Sequence, residues 1–326
     1  MGAADRDVLG EALPFLPPRF RPALLRCAAV VPAATWLEVR FGAGSPLRVV
    51  TAEGDLWVGE QGPVATPAAA VRATAQDVDQ AVQLVTRGSV YAWERELAGA
   101  FCTLPGGHRV GLAGRARTEG DRVIGQTAFS AVNLRLARAV PGAANAVLAA
   151  LGRGWGGVLI FGPPGSGKTT VLRDLCRQLS CGRPDLGLQP RRVVVVDERG
   201  EIAASADGQP QFDLGPRTDI LDAWPKAQGI VAAIRALGPE VVACDELGGA
   251  DEAAAVAEAG RSGVGVLATV HAGSLDDLLR RPQLAGLLAS GAFQRAVRLA
   301  ADRRLGEIGT LGPSGGMTGR RPCLGA

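Results

Sequence analysis

Two kinds of hydrophobic pattern divide the chain. Up to about residue 135, short apolar stretches are set apart by Pro and Gly, and several alternate with polar positions. Residues 36–41 (Trp-Leu-Glu-Val-Arg-Phe) and 47–50 (Leu-Arg-Val-Val) carry the two-residue period of strands with one buried face. Residues 74–85 carry a helical period: Thr74 can cap, and Val78, Ala81, Val82 and Val85 fall on one face. Residues 133–140 and 143–151 read as a connector and a first helix, broken at Pro141-Gly142. From Gly157 onward, short apolar runs alternate with helical stretches, the runs covering 158–161, 193–196, 241–244 and 264–268. Runs without polar alternation suit strands covered on both faces, as in a parallel sheet flanked by helices. The expected fold class is therefore α/β, with a mainly parallel sheet over 136–305 preceded by a smaller α+β domain over 1–135. The segment 306–326 is rich in Gly and Pro and is expected to be a flexible tail.

Composition narrows the function classes. The chain has 326 residues, 47% hydrophobic and 21% charged, as expected of a globular protein with a substantial core. A net charge of +3 is too balanced to imply nucleic acid, and aromatic residues are only 4%. Of 35 basic residues only Lys168 and Lys226 are lysines, so each lysine is informative. Six scattered cysteines form no CxxC pair, and with two histidines they argue against a zinc site and for buried, reduced thiols in the cytosol. No apolar run approaches the roughly 20 residues of a spanning helix, and Asp5, Asp7 and Glu11 argue against a signal peptide.

Gly162-Pro163-Pro164-Gly165-Ser166-Gly167-Lys168-Thr169 fits GxxxxGK[ST], between an apolar strand and a helical stretch beginning at Thr170. The chain has 45 glycines and two lysines, so the pattern is expected by chance only roughly 0.003 times. Glycines let the backbone turn its N–H groups onto phosphate oxygens, and the following helix adds its positive end. Lys168 can reach the β- and γ-phosphates, and Thr169 can ligate Mg²⁺. The motif predicts binding of a nucleoside triphosphate with magnesium on a RecA-like P-loop core.

Such a site needs carboxylates at the end of a neighbouring strand. Residues 193–196 end in Asp197-Glu198, followed by Glu201, and residues 241–244 end in Asp245-Glu246. Both pairs lie where ligands sit in open α/β sheets, and both could serve. Asp245 is expected as the magnesium-linked acid and Glu246 as the base. Asp197, Glu198 and Glu201 are expected as a second cluster that contributes metal or water positioning. His271 ends a fourth apolar strand and can sense a γ-phosphate; His108, in Gly-Gly-His-Arg, reads as a turn residue.

The order of phosphate loop, Asp-Glu strand, second Asp-Glu strand and Thr-Val-His (269–271) resembles the secretion ATPases of type II, type IV pilus and type IV systems. Those carry a Walker A motif, an acidic box, a Walker B motif and a histidine box. Longer stretches resemble the stage III sporulation AA family of endospore formers: residues 16–19, 105–114, 196–203, 217–222 and 239–242. Two departures from the secretion ATPases stand out. Asp245 replaces their usual Gly, and Gly248-Gly249 replaces their Arg-Asp. The resemblance implies a cytoplasmic ATPase, peripheral to the membrane, working as a homo-hexamer on membrane proteins of a channel between mother cell and forespore. It also implies an arginine finger from a neighbouring subunit or domain, with Arg217 the first candidate and Arg109, Arg115 and Arg117 behind it. Competing readings are a RecA-like nucleic-acid motor, a GTPase or small-molecule kinase, and a P-loop scaffold that does not hydrolyse. Lys226 does not fit a guanine-reading motif.

Overall fold

The computed structural model describes residues 7–89, 93, 97–152, 156–302, 305–311 and 317–322. The chain forms two compact units, Met1–Arg138 and Ala139–Ala326.

The first unit is built on an antiparallel sheet. Its strands are β1 (Trp36–Gly42), β2 (Arg48–Thr51), β3 (Gly54–Gly59), β4 (Gly62–Val64), β5 (Phe101–Thr103), β6 (Arg109–Glu119) and β7 (Arg122–Arg135), in the order β4-β3-β2-β1-β7-β6-β5. The alternation on β1 holds: Val39 and Phe41 are buried and Arg40 is exposed. The helix Ala75–Val85 starts at Thr74, whose hydroxyl accepts from the Asp77 N–H while the Asp77 carboxylate accepts from the Thr74 N–H. Arg19 grips that carboxylate with two bonds of 2.5 and 2.8 Å. Burial pushes the Asp77 carboxyl up, but Arg19 and Thr74 outweigh it and hold it below the usual range. Residues 133–135, expected in a connector, complete β7.

The second unit holds β8 (Val158–Gly162), β9 (Val193–Asp197), β10 (Thr218–Asp222), β11 (Val241–Cys244), β12 (Gly265–His271), β13 (Arg295–Leu299), β14 (Leu305–Leu311) and β15 (Met317–Pro322). Their order is β10-β9-β11-β12-β8-β13-β14-β15. The pairs from β10 to β13 are parallel, and only β14 and β15 add antiparallel edges. The apolar runs lack alternation because both faces are covered. Ile160, Val195, Ala243 and Leu267 face one buried cluster with Leu172 and Leu175 of the helix Lys168–Cys181. Leu159, Val196, Val242 and Ala268 face another with Ile230, Val256 and Leu287 of later helices.

One expectation about this unit, a flexible tail over 306–326, differs from the structure in its described residues, while 312–316 and 323–326 lie outside them. Residues 306–311, read as the start of a flexible tail, lie in β14, and residues 317–322 form β15. The glycines hid the apolar residues: Ile308 and Leu311 are buried against the sheet.

Candidate functional site

Parallel strands bring their carboxyl ends to one edge, and the register aligns the expected residues there. His271 lies opposite Gly162, and Cys244 lies opposite both Val196 and Ala268. Asp197, Asp245, Thr269 and the loop after Gly162 therefore meet along one line.

The loop turns through Gly165 and Gly167, whose φ values of 75° and 86° fall in the left-handed region that side chains disfavour. Lys168 opens the helix Lys168–Cys181, whose first turn has no acidic residue. A cation at that end opposes the helix dipole, so this terminus is arranged for an anion brought from outside. The Lys168 ammonium is buried and donates to the carbonyls of Gly162 (3.1 Å) and Pro163 (2.8 Å). Burial pushes its pKa below the ordinary lysine value, while Asp245 and Glu246 pull it back. Its third neighbour is His271 Nδ1 at 3.0 Å. The other ring nitrogen of His271, Nε2, faces Glu246 Oε1 at 3.9 Å.

Thr169 Oγ1 donates to Asp245 Oδ2 at 2.6 Å, joining the loop to the end of β11. The other Asp245 oxygen accepts from the Glu246 N–H at 3.0 Å and from the buried Thr269 hydroxyl. Glu246 itself has a φ of 50°, a strained conformation for a residue with a Cβ. Its carboxylate reaches the cavity and pairs with Arg199 at 2.6 Å. Asp197, Glu198, Glu201, Arg199, Lys226 and Asp245 line the same small cavity.

Sequence reasoning did not assign Arg173, Arg199, Lys226, Glu252 or Thr269 to the site. Lys226 carried a signal as the second of two lysines, Thr269 as the first residue of Thr-Val-His, and Arg199 as part of residues 196–203; Arg173 and Glu252 carried none. Arg173 fixes the acidic loop from the helix, donating to the Glu201 and Ile202 carbonyls at 2.6 and 2.7 Å and stacking on Phe212. Burial lowers its pKa to about 10, against the pull of Asp197 and Asp245.

Two expected residues have their polar groups engaged by the fold itself. Asp197, expected to contribute to the metal, is buried, and both its oxygens are taken by backbone N–H groups. Oδ1 accepts from Glu201 at 2.8 Å, and Oδ2 accepts from Ile202 and Ala203 at 3.1 and 2.8 Å. Burial pushes this carboxyl above its ordinary value, and the three donors offset part of the effect. Asp197 folds the acidic loop, leaving Asp245 as the acid that meets Thr169. Arg217 precedes β10 and so lies at the amino edge of the sheet, about 16 Å from the carboxyl edge along a five-residue strand. It is tied to its own chain: its N–H donates to Ser180 Oγ at 2.6 Å and its guanidinium to the Ser180 carbonyl at 3.1 Å. Arg109 stacks on Phe101 within the first unit, and Arg115 and Arg117 lie on β6. His108, read as a turn residue, follows the turn Pro105–Gly107 and is fully buried, with Nδ1 accepting from the Ala137 N–H at 3.2 Å.

One hydroxyl and one carboxylate beside a backbone loop suit magnesium, which keeps water and phosphate oxygens among its ligands. Among the described residues, no group of three or more His, Cys, Asp and Glu side chains could hold a metal unaided. No helix among them is long and apolar enough to cross a membrane.

Comparison with solved structures supports the fold. The ATPase DotB of Legionella pneumophila superposes with a TM-score of 0.54 at 17% identity, covering 91% of this chain and 83% of that one. The pilus retraction motor PilT, solved with bound ADP, superposes with a TM-score of 0.53 at 14% identity, covering 87% and 78%. The chain has the fold of these two proteins. In sequence it is 36% identical to stage III sporulation protein AA of Bacillus subtilis over 307 residues, 93% of this chain and 94% of that protein. An uncharacterized protein, ycf45 of Porphyra purpurea, is 32% identical over 47% of this chain and 26% of its own length. The family description "Sporulation stage III, protein AA" matches residues 16–317. The chain belongs to the stage III sporulation protein AA family.

Proposed function

We propose that this chain is a secretion-type ATPase that hydrolyses ATP to drive a membrane channel complex between mother cell and forespore. The observation that carries the reading is the Thr169–Asp245 bond, with Lys168 buried beside it at a helix start that lacks acids. The loop from Gly162 to Gly167, with Pro163, Pro164, Gly165 and Ser166 between, and the first turn through Thr170 would hold the triphosphate by backbone N–H groups and Lys168. Thr169 and Asp245 would hold magnesium, which when bound neutralises charge on the phosphate oxygens.

Glu246 takes a proton from the attacking water, and Glu198 and Glu201 help to hold that water. His271 contacts Lys168 through Nδ1 and faces Glu246 through Nε2, so it can relay the arrival of a phosphate from the lysine to the base. Catalysis is then positioning and charge stabilisation. A neighbouring subunit of a homo-hexamer would supply the arginine, with Arg217, Arg109, Arg115 and Arg117 as candidates. The sporulation family and the secretion-ATPase fold support work in the mother-cell cytoplasm against membrane partners.

The test is phosphate release together with the mass of the assembly, with and without ATP and magnesium. The expected result is a hexamer that hydrolyses ATP and a Glu246→Gln variant that binds ATP but releases no phosphate. Release at the wild-type rate from Glu246→Gln would overturn the base assignment, and a monomer that never hydrolyses would overturn the reading.

A further inference from the structure

Lys226 is buried, and the reaction as described does not use it. It opens the helix Lys226–Ala236, on the sheet face opposite the phosphate-loop helix. Its ammonium has three donors and meets three acceptors. These are the Glu246 carbonyl at 2.7 Å, Glu252 Oε1 at 3.1 Å and Glu198 Oε2 at 3.4 Å. Burial alone would lower its pKa, but Glu252 and Glu198 hold it above the ordinary lysine value, so it stays charged.

What these contacts enclose is the turn after β11. The Glu246 N–H is fixed by Thr269 Oγ1 at 2.9 Å and Asp245 Oδ1 at 3.0 Å, and Lys226 fixes its carbonyl. Glu252, the acidic partner of Lys226, accepts with its other oxygen from the N–H groups of Gly248 at 2.7 Å and Gly249 at 3.1 Å. The Lys226–Glu252 ion pair thus holds the turn at both ends, and Glu198 ties it to the loop after β9. Glu246 lies inside this turn with a positive φ, a conformation that persists only where its surroundings over-determine it. Gly248-Gly249 stands where the resemblance to secretion ATPases breaks, and here its N–H groups face Glu252.

We propose that Lys226 is a positioning residue: with Glu252 it clamps the turn of residues 246–249 and so aims the Glu246 carboxylate into the site. The kinetic consequence rests on the ATPase reading above; the structural consequence does not.

The test uses Lys226→Met in the full chain. Should the unpaired acids prevent folding, the charge-balanced K226M/E252Q variant replaces it, because its amide oxygen can still accept from Gly248 and Gly249. Hydrogen exchange by mass spectrometry should show amides of residues 246–249 opening about tenfold faster, with β9 unchanged. In phosphate release, kcat should fall about thirtyfold while the KM for ATP stays within about twofold, as expected of a misplaced catalytic group. Wild-type exchange in the turn, or kcat within about twofold of wild type, overturns the proposal. Faster exchange confined to the turn, in a protein whose wild type never hydrolyses ATP, supports the clamp and refutes the ATPase reading.

Discussion

Asp197 separates a structural acid from a metal-binding one, and Asp197→Asn reads the difference. The native carboxylate accepts three backbone N–H groups, two on one oxygen and one on the other, in a buried pocket. An amide offers one oxygen and one NH₂, so at least one loop N–H faces a donor in place of an acceptor. Each orphaned buried N–H costs about 1–3 kcal/mol, and exchanging a charged acceptor for a neutral one weakens the bonds that remain. A total of about 2–4 kcal/mol follows, which for a unit of this size lowers Tm by about 5–15 °C. The assay is a thermal melt followed by a magnesium titration of nucleotide binding on the folded variant. The expected result is a large loss of Tm with magnesium dependence unchanged. A melt within about 2 °C of wild type, or a folded variant needing about tenfold more magnesium, would refute the structural assignment.

Three further outcomes follow from the same geometry. Thr269→Val removes the hydroxyl between Asp245 and the Glu246 N–H, so melts should show a loss of about 1–3 kcal/mol, and phosphate release should slow while nucleotide binding persists. Asp77 is held below its unfolded pKa, so the unfolded state binds more protons just below the ordinary carboxylate range. Stability should therefore be complete above that range and fall as pH drops through the folded value, and acid-unfolding curves of Asp77→Asn should show a flatter slope there. Ending the chain before Leu305 removes β14 and β15 and uncovers apolar surface packed by Ile308 and Leu311. Melts should lose about 3–5 kcal/mol, and an unchanged Tm would show that these strands are not part of the fold.

The sequence was most readable where burial is symmetric. Strands β8, β9, β11 and β12 are apolar on both faces, so their runs stood out, and each ends where the chemistry begins. Strand β10 is an edge strand with Asp219 and Asp222 exposed, and β13 carries Arg295 and Arg298, so neither made an apolar run. Strand β14 was masked by its glycines. In the site, the glycine loop and the two Asp-Glu strand ends were legible. What could not be read was which aspartate does what, because both follow the same kind of apolar run. The difference is made by three N–H groups folding back onto Asp197 and by Thr169 and Thr269 converging on Asp245. Arg217 looked close to the acids in sequence, but its place before β10 sets it at the far edge of a parallel sheet.

Calorimetric titration of magnesium-ATP into the full chain and into Lys168→Ala tests the central claim most directly. The account predicts saturable one-to-one binding to the wild type, weakened about hundredfold or more when the buried ammonium is removed. Heat-silent wild type that is folded by melting, or equal affinity in the two proteins, would contradict it.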